Sequence, residues 1–401
     1  MIVHRGIDLV LGVVIWGVLV AGCAGADPVS VAPSAPLVRQ EVAGINGAPT
    51  LADFWDRRAE FVIDVPVTGL PLGESDTLVM ANGEMWSYLH ASYESAGVVD
   101  QCGDPVAFPG CTVIYRSQDR GRSFAPPDPP ICQFGCTTCP CTSEGDHIDQ
   151  QQYPRTSFDH GQFTLVYEYR GRNMVRQSAD GLVWGDPVQV PLTGIWQDWY
   201  RSCPPAARIG DHPNQTAFYD CLIGSPPGIF VEDNQEGGHI YLFVGMGQNP
   251  GNMGCYVGRL GNPIDWLVFC KNNPLFTGAA TYGPSDLQGV SANGYFDFRT
   301  ISSAEVQKIG DRYYMLYEGV RGPTPGDVGD TQFGLGLARS RFDRVDGPWD
   351  TFPNNPILLN LPGNVGVGHG DLVVMDGVTY LYTSLDNATR SRLVLTWKGQ
   401  E

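Results

Sequence analysis

The chain is poor in charge, and most of the charge it has is of one sign. Of 401 residues, 17% are charged, with 25 Lys and Arg against 43 Asp and Glu and a formal net charge of −18 at pH 7. A surface this negative repels phosphate backbones, which excludes nucleic acid as a partner. A helical bundle is excluded as well. With 50 Gly, 31 Pro and 11% aromatics, the composition suits many short strands joined by turns. The marked apolar run at the N-terminus, LVLGVVIWGVLV (Leu9–Val20), lies behind Arg5 and reads as a secretory signal, outside the fold.

Val20-Ala21-Gly22-Cys23 resembles the bacterial lipobox, whose cysteine is lipidated after cleavage. The resemblance implies a signal peptide over 1–22 and a lipid on Cys23 that anchors an exported protein to the cell envelope. Ordinary signal cleavage near Ala24 is the alternative. Residues up to 50, rich in Ala, Pro, Val and Ser, form a flexible tether. Residues 51–401 are expected to form one domain, monomeric and in touch with the membrane only through the lipid.

Setting Cys23 aside from the 11 cysteines leaves an even number, and export implies disulfides. Cys102/Cys111, Cys203/Cys221 and Cys255/Cys270 have the spacing of local pairs. Cys132, Cys136, Cys139 and Cys141 crowd into one loop, where two disulfides are expected in preference to zinc. Spacing does not settle the connectivity.

Five segments repeat one pattern: a short strand, a glycine turn, then an aromatic-rich strand. AEVQKIGDRYYMLYEG (Ala304–Gly319) is one of them. The turn glycines are Gly83, Gly161, Gly238, Gly310 and Gly377, spaced by 78, 77, 72 and 67 residues. Between them lie SQDRGRSF (Ser117–Phe124) and SADGLVW (Ser178–Trp184), which resemble the Asp-box turns of sialidase-type propellers. In such a turn the Asp caps backbone N–H groups and the aromatic ring plugs the gap between sheets, so Asp119 and Asp180 are read as structural. The expected fold is all-β, a five-bladed β-propeller. The last unit is one strand short, and Ala59–Val67 is available to supply it and close the ring.

In a propeller the first strand of each blade lines the central channel. The pattern gathers Asp76, Glu232 or Asp233, Glu305, and Asp371 with His369 around one axis. Blade two contributes Gln152, Tyr153 and Arg155, with Asp149 slightly upstream. Neighbouring carboxylates raise one another's pKa, so one carboxyl can stay protonated while another is ionised. Glycoside hydrolysis needs that division: one group protonates the leaving oxygen, and the other activates water or attacks the sugar. The oxygen-rich axis would also suit a structural Ca²⁺, although no loop has calcium spacing.

Over Gly73–Trp397 the pattern resembles the five-bladed glycoside hydrolases of the family-43 and family-32 type. ESDTLVMANGEMW supplies an Asp opening blade one, AEVQKIGDRYYMLYEG a Glu before a G-x-YY strand, and GVGHGDLVVMDGVTYLY a late Gly-His loop. The resemblance implies a carbohydrate substrate, with Asp76 as general base and Glu305 as general acid. Asp149 would orient the substrate, and His369, Arg155, Tyr153, Asp371, Arg299 and His147 would contact it. Blade two departs from the pattern, with Gln152, Tyr153 and Pro154 where the family has its second Asp. Two other readings compete. An exo-sialidase would use Arg155, Arg299 and Arg321 with a Tyr317-Glu318 or Tyr167-Glu168 pair. A non-catalytic propeller would bind glycans or a protein through the Cys-rich loop.

Overall fold

The computed structural model describes residues 43–91, 111–126, 152–169, 172–190, 223–232, 238–246, 251–261, 265–278, 296–297, 300–321, 332–359, 370–386 and 389–399. Outside them lie Cys23, Cys102, Cys132, Cys136, Cys139, Cys141, His147, Asp149, Cys203, Cys221, Asp233, Arg299 and His369; the side chains of Cys111 and Arg321 are likewise not described.

The strands form five antiparallel sheets, and the chain is a five-bladed β-propeller. The innermost strands are Ser75–Val79, Gln152–Asp159, Ile223–Glu232, Thr300–Ile309 and Asp371–Met375, which open blades one to five. Each pairs with an aromatic-rich second strand: Met85–Ala91, Gln162–Tyr169, His239–Met246, Arg312–Arg321 and Val378–Thr383. The turn glycines between them all have φ of 61° to 81°, the left-handed region that glycine enters without a Cβ clash.

The second strands are apolar on both faces because each blade is packed on both sides. Met85, Leu89, Val373 and Tyr382 fill the gap between blades five and one, and Trp86, Tyr88, Phe163 and Leu165 that between one and two. Val166 packs on Ile229 and Leu242 between two and three, and Phe243 and Met253 on Tyr313 and Met315 between three and four. Leu316 and Leu335 meet Leu381 and Leu393 between four and five, which completes the circle.

Aromatic plugs sit where the turn motif predicted. Phe124 is buried between blades one and five, and Trp184 between one and two. Asp119 Oδ1 accepts the N–H groups of Arg122 and Ser123, and Asp180 Oδ1 those of Leu182 and Val183. Desolvation works against the Asp119 charge, but the hydrogen bonds from Ser123, Ser117 and Arg122 outweigh it and bring its pKa down to about 2.

The ring is closed by the N-terminal strand. Ala59–Pro66 pairs antiparallel with Ser391–Trp397 as the outer strand of blade five. Just before it, a short helix (Leu51–Trp55) begins at a Thr50–Asp53 capping box and packs on Tyr314, Leu337 and Phe352 of blade four and Leu395 of blade five. The disulfide among the described residues joins Cys255 to Cys270 within blade three, with Cα atoms 5.4 Å apart.

Candidate functional site

Strand register defines one equivalent position per blade. Asp76 pairs with Tyr88, Arg155 with Val166, Gly228 with Phe243, Glu305 with Leu316, and Asp371 with Tyr382. Arg155, Gly228, Glu305 and Asp371 lie four residues before the turn end of the ladder, and Asp76 lies three before it. Asp76, Glu305 and Asp371 meet at the axis, where each offers a carboxylate oxygen within 4.8 Å of the other two.

Blades two and four reach this level by the same device. The register slips by one residue between Gln152 and Arg155, and again between Ser302 and Glu305. Both bulges hold a non-glycine residue in the left-handed region, Tyr153 at φ 53° and Ser303 at φ 49°. A bulge re-aims the side chain that follows it, and bulges are frequent beside active sites. Here the re-aimed side chains are Arg155 and Glu305. The Arg155 Nε lies 3.4 Å from Glu305 Oε1.

Arg155 is 1% exposed, and its guanidinium is spent on the protein. Nη2 donates to Glu74 Oε2 at 2.8 Å, and Nη1 to the Ser75 carbonyl at 2.6 Å. Ser303 Oγ donates to the other Glu74 oxygen at 3.0 Å, so Glu74 ties blade four to blade two. Burial alone would lower the Arg155 pKa; Glu74, Glu305, Asp76 and Asp371 outweigh it and raise the value above that of a free arginine.

Asp371 is fully buried. Its Oδ2 accepts from Ser75 Oγ at 2.9 Å and Thr77 Oγ1 at 2.7 Å, and its Oδ1 from the Thr77 N–H at 3.2 Å. Arg390 donates to Ser75 Oγ and supports this arrangement from behind. Burial first, and then the charge of Asp76, push Asp371 up to about 6, against the Thr77 hydrogen bond and the two arginines. Asp76 Oδ2 accepts from both the N–H and the hydroxyl of Thr156. Glu305, at 13% side-chain exposure, is the most open of the three acids.

Gly228 explains why, among the described residues, blade three adds no side chain at this register position. A Cβ there would stand 2.2 Å from the Ala304 carbonyl oxygen, so the glycine lets the inner strands of blades three and four close up. The expected third-blade acid is elsewhere. Glu232 is the last ladder residue of its strand, paired with His239, and it accepts from Tyr313 OH and Tyr241 OH. Counting back from the turn glycine misplaces it because the blade-three connection is longer than a two-residue turn.

Other expected contacts differ in detail. Arg155 and Asp371, expected at a ligand, are buried and engaged within the protein. Tyr153 is the half-buried bulge residue. The Tyr317-Glu318 pair does not form a nucleophilic unit. Tyr317 is fully buried, its OH donates to Asp297 Oδ2 at 2.8 Å, and burial raises its pKa well above that of a free tyrosine. Glu318 accepts instead from Ser302 Oγ. Tyr167 and Glu168 are both fully buried, the tyrosine within the core between blades one and two. Sequence reasoning missed Glu74, Thr77, Thr156 and Arg390. The signal for two of them was present in the polar run Glu74-Ser75-Asp76-Thr77 at the mouth of an apolar strand.

No protein-family model matches the chain, and no curated protein matches it. Solved structures resemble it in fold. An endo-arabinase from Bacteroides thetaiotaomicron is 13% identical, with a TM-score of 0.46 over 85% of this chain and 98% of that one. An endo-1,4-β-xylanase from the same organism is 14% identical, with a TM-score of 0.46 over 84% and 97%. A GH43_1 enzyme from Xanthomonas citri is 15% identical, with a TM-score of 0.42 over 86% and 91%. Similarity at this level assigns no reaction to the chain.

Proposed function

We propose that the protein is a glycoside hydrolase whose reacting pair is Asp76 and Glu305 at the propeller axis. One observation carries this reading: two carboxylates 229 positions apart in sequence are brought within 4.8 Å, oxygen to oxygen, on strands of a rigid wheel.

The surroundings distinguish the pair. Asp76 Oδ2 is held as an acceptor by both the N–H and the hydroxyl of Thr156. Glu305 is the most open of the three acids, at 13% side-chain exposure. Asp76 is therefore assigned as the base that activates water and Glu305 as the group that passes a proton to the leaving oxygen, the roles the family resemblance implies. The test compares aryl glycosides bearing a good leaving group with polysaccharides. Asp76→Asn should abolish both activities with folding intact. Glu305→Gln should spare the activated aryl substrate, which needs no acid, and lose the polysaccharide. Equal loss of both in Glu305→Gln would overturn the assignment, and wild-type inactivity across a broad glycoside panel would overturn the hydrolase reading.

A second reading, a propeller that binds glycans without cleaving them, draws on blade two, where a basic residue, Arg155, stands at the register position that holds an acid in blades one and four. Glycan-array binding without turnover would support it. We also infer export and lipidation at Cys23, on the strength of the lipobox-like Val20–Cys23. Incorporation of labelled fatty acid that is lost in Cys23→Ala tests this, and incorporation that persists would refute it.

A further inference from the structure

The geometry points to Arg155 as the site's built-in cation: its guanidinium takes the electrostatic place that an axial divalent metal ion would occupy, and the carboxylate ring is assembled without one. The inference concerns how the ring is held together and stands whether or not the ring cleaves glycans.

Among the described residues, four carboxylates crowd the axis, from Glu74, Asp76, Glu305 and Asp371. Burying such a group is costly unless positive charge and hydrogen bonds are supplied. Three of the acids approach one another as metal ligands do, but the rest of the donor set does not fit a calcium ion. Ca²⁺ takes roughly six to eight oxygen ligands. Both oxygens of Asp371 already accept from Thr77, one of them also from Ser75, and Asp76 Oδ2 accepts twice from Thr156. Among the described residues, blade three offers no side-chain ligand at this level, because Gly228 has no side chain and no room for one.

Arg155 meets the need instead. It stands at the blade-two position of the same ring, and its Nη2 and Nε face Glu74 and Glu305, at 2.8 Å and 3.4 Å. Its Nη1 is fixed on the Ser75 carbonyl, one residue from Asp76. The bulge at Tyr153 delivers it to the depth of Glu305. An arginine is a permanent cation whose planar fork holds several acceptors at once, and unlike a bound ion it does not exchange with solvent. Arg155 is thus a positioning residue: it holds Glu74 and Glu305 in place and balances their charge. Removing the guanidinium should open an anionic cavity that a divalent cation can enter.

The test uses the full chain and thermal melts in EDTA and in rising CaCl₂, for wild type, Arg155→Met, Arg155→Lys and Arg155→Met/Glu305→Gln. Wild type and Arg155→Lys should show no calcium response that depends on Glu305. Arg155→Met should melt lower by roughly 5–10 °C, as expected when a buried ion pair loses one partner. It should regain part of that loss as Ca²⁺ rises, following mass action, and the recovery should vanish in the double variant. A calcium gain in wild type that disappears in Glu305→Gln would overturn the inference, because the ring would then bind metal with Arg155 in place. An Arg155→Met protein indifferent to Ca²⁺ would also overturn it, leaving the guanidinium a packing role only. If Arg155→Met does not fold, the wild-type and Glu305→Gln melts decide: no Glu305-dependent calcium response supports the inference, and such a response refutes it.

Discussion

Arg155 and Glu305 occupy the same position in blades two and four, each follows a one-residue bulge with a left-handed residue in it, and their charged ends lie 3.4 Å apart. The ion pair therefore depends on two backbone irregularities as much as on two side chains. Ser303, at φ 49° and 2% exposed, belongs to one of them and also donates to Glu74. A β-branched residue there meets the left-handed strain in full and leaves Glu74 short of a donor. Ser303→Val should lose about 2–5 kcal/mol in urea unfolding. Ser303→Gly, which loses the donor but relieves the strain, should lose clearly less. Equal losses would show that the left-handed backbone is not the main cost.

Asp371 makes stability depend on pH in a direction unusual for a carboxylate. Its folded pKa of about 6 lies above the unfolded value of about 3.9, so the folded state holds the proton more tightly. The contribution is complete below about pH 4 and is lost as pH rises through about 6. A shift of about two units corresponds to roughly 2–3 kcal/mol. The stability of wild type relative to Asp371→Asn should fall by about that amount between pH 4 and pH 7. Urea unfolding at four pH values in that window checks it, and a flat difference would remove Asp371 as the cause.

Gly228 has a steric role that needs no chemistry. Gly228→Ala would drive a methyl group into the Ala304 carbonyl, and overpacking of this kind costs about 1–3 kcal/mol. The strand carrying Glu305 would be displaced with it. Hydrolysis of polysaccharides should then fall, in addition to the drop in melting temperature; unchanged stability would mean that the two strands are not in close contact.

Tyr317 separates the hydrolase reading from the sialidase one. Its hydroxyl donates to Asp297 and accepts from Asn355 Nδ2 at 3.0 Å, all within the core. Tyr317→Phe should cost about 1–3 kcal/mol, because buried Asp297 loses a donor, and should leave turnover of the folded enzyme unchanged. A complete loss of activity in a well-folded Tyr317→Phe protein would return the tyrosine to the chemistry.

Legibility differed along the chain for physical reasons. The wheel itself could be read from five glycine turns with aromatic strands behind them, because φ above zero and two-sided burial leave marks on residue type. The Ala59–Pro66 closure could be read because the last repeat lacked a strand. The meeting of Asp76 and Glu305 followed from their places in the repeat. Glu232 was misplaced because glycine spacing ignores turn length, whereas hydrogen-bond register does not. Arg155 was named as a group that meets substrate, but its partner Glu74 and its pairing with Glu305 were not foreseen.

Residue type along the chain thus settled the class of fold, the number of blades and the three acids Asp76, Glu305 and Asp371 at the hub, since each rests on local turn chemistry or on apolar periodicity. The charge balance of the hub was settled only on folding. It depends on register, on two bulges and on close strand approach at a glycine, and each of these is a relation between strands that no single stretch of chain contains.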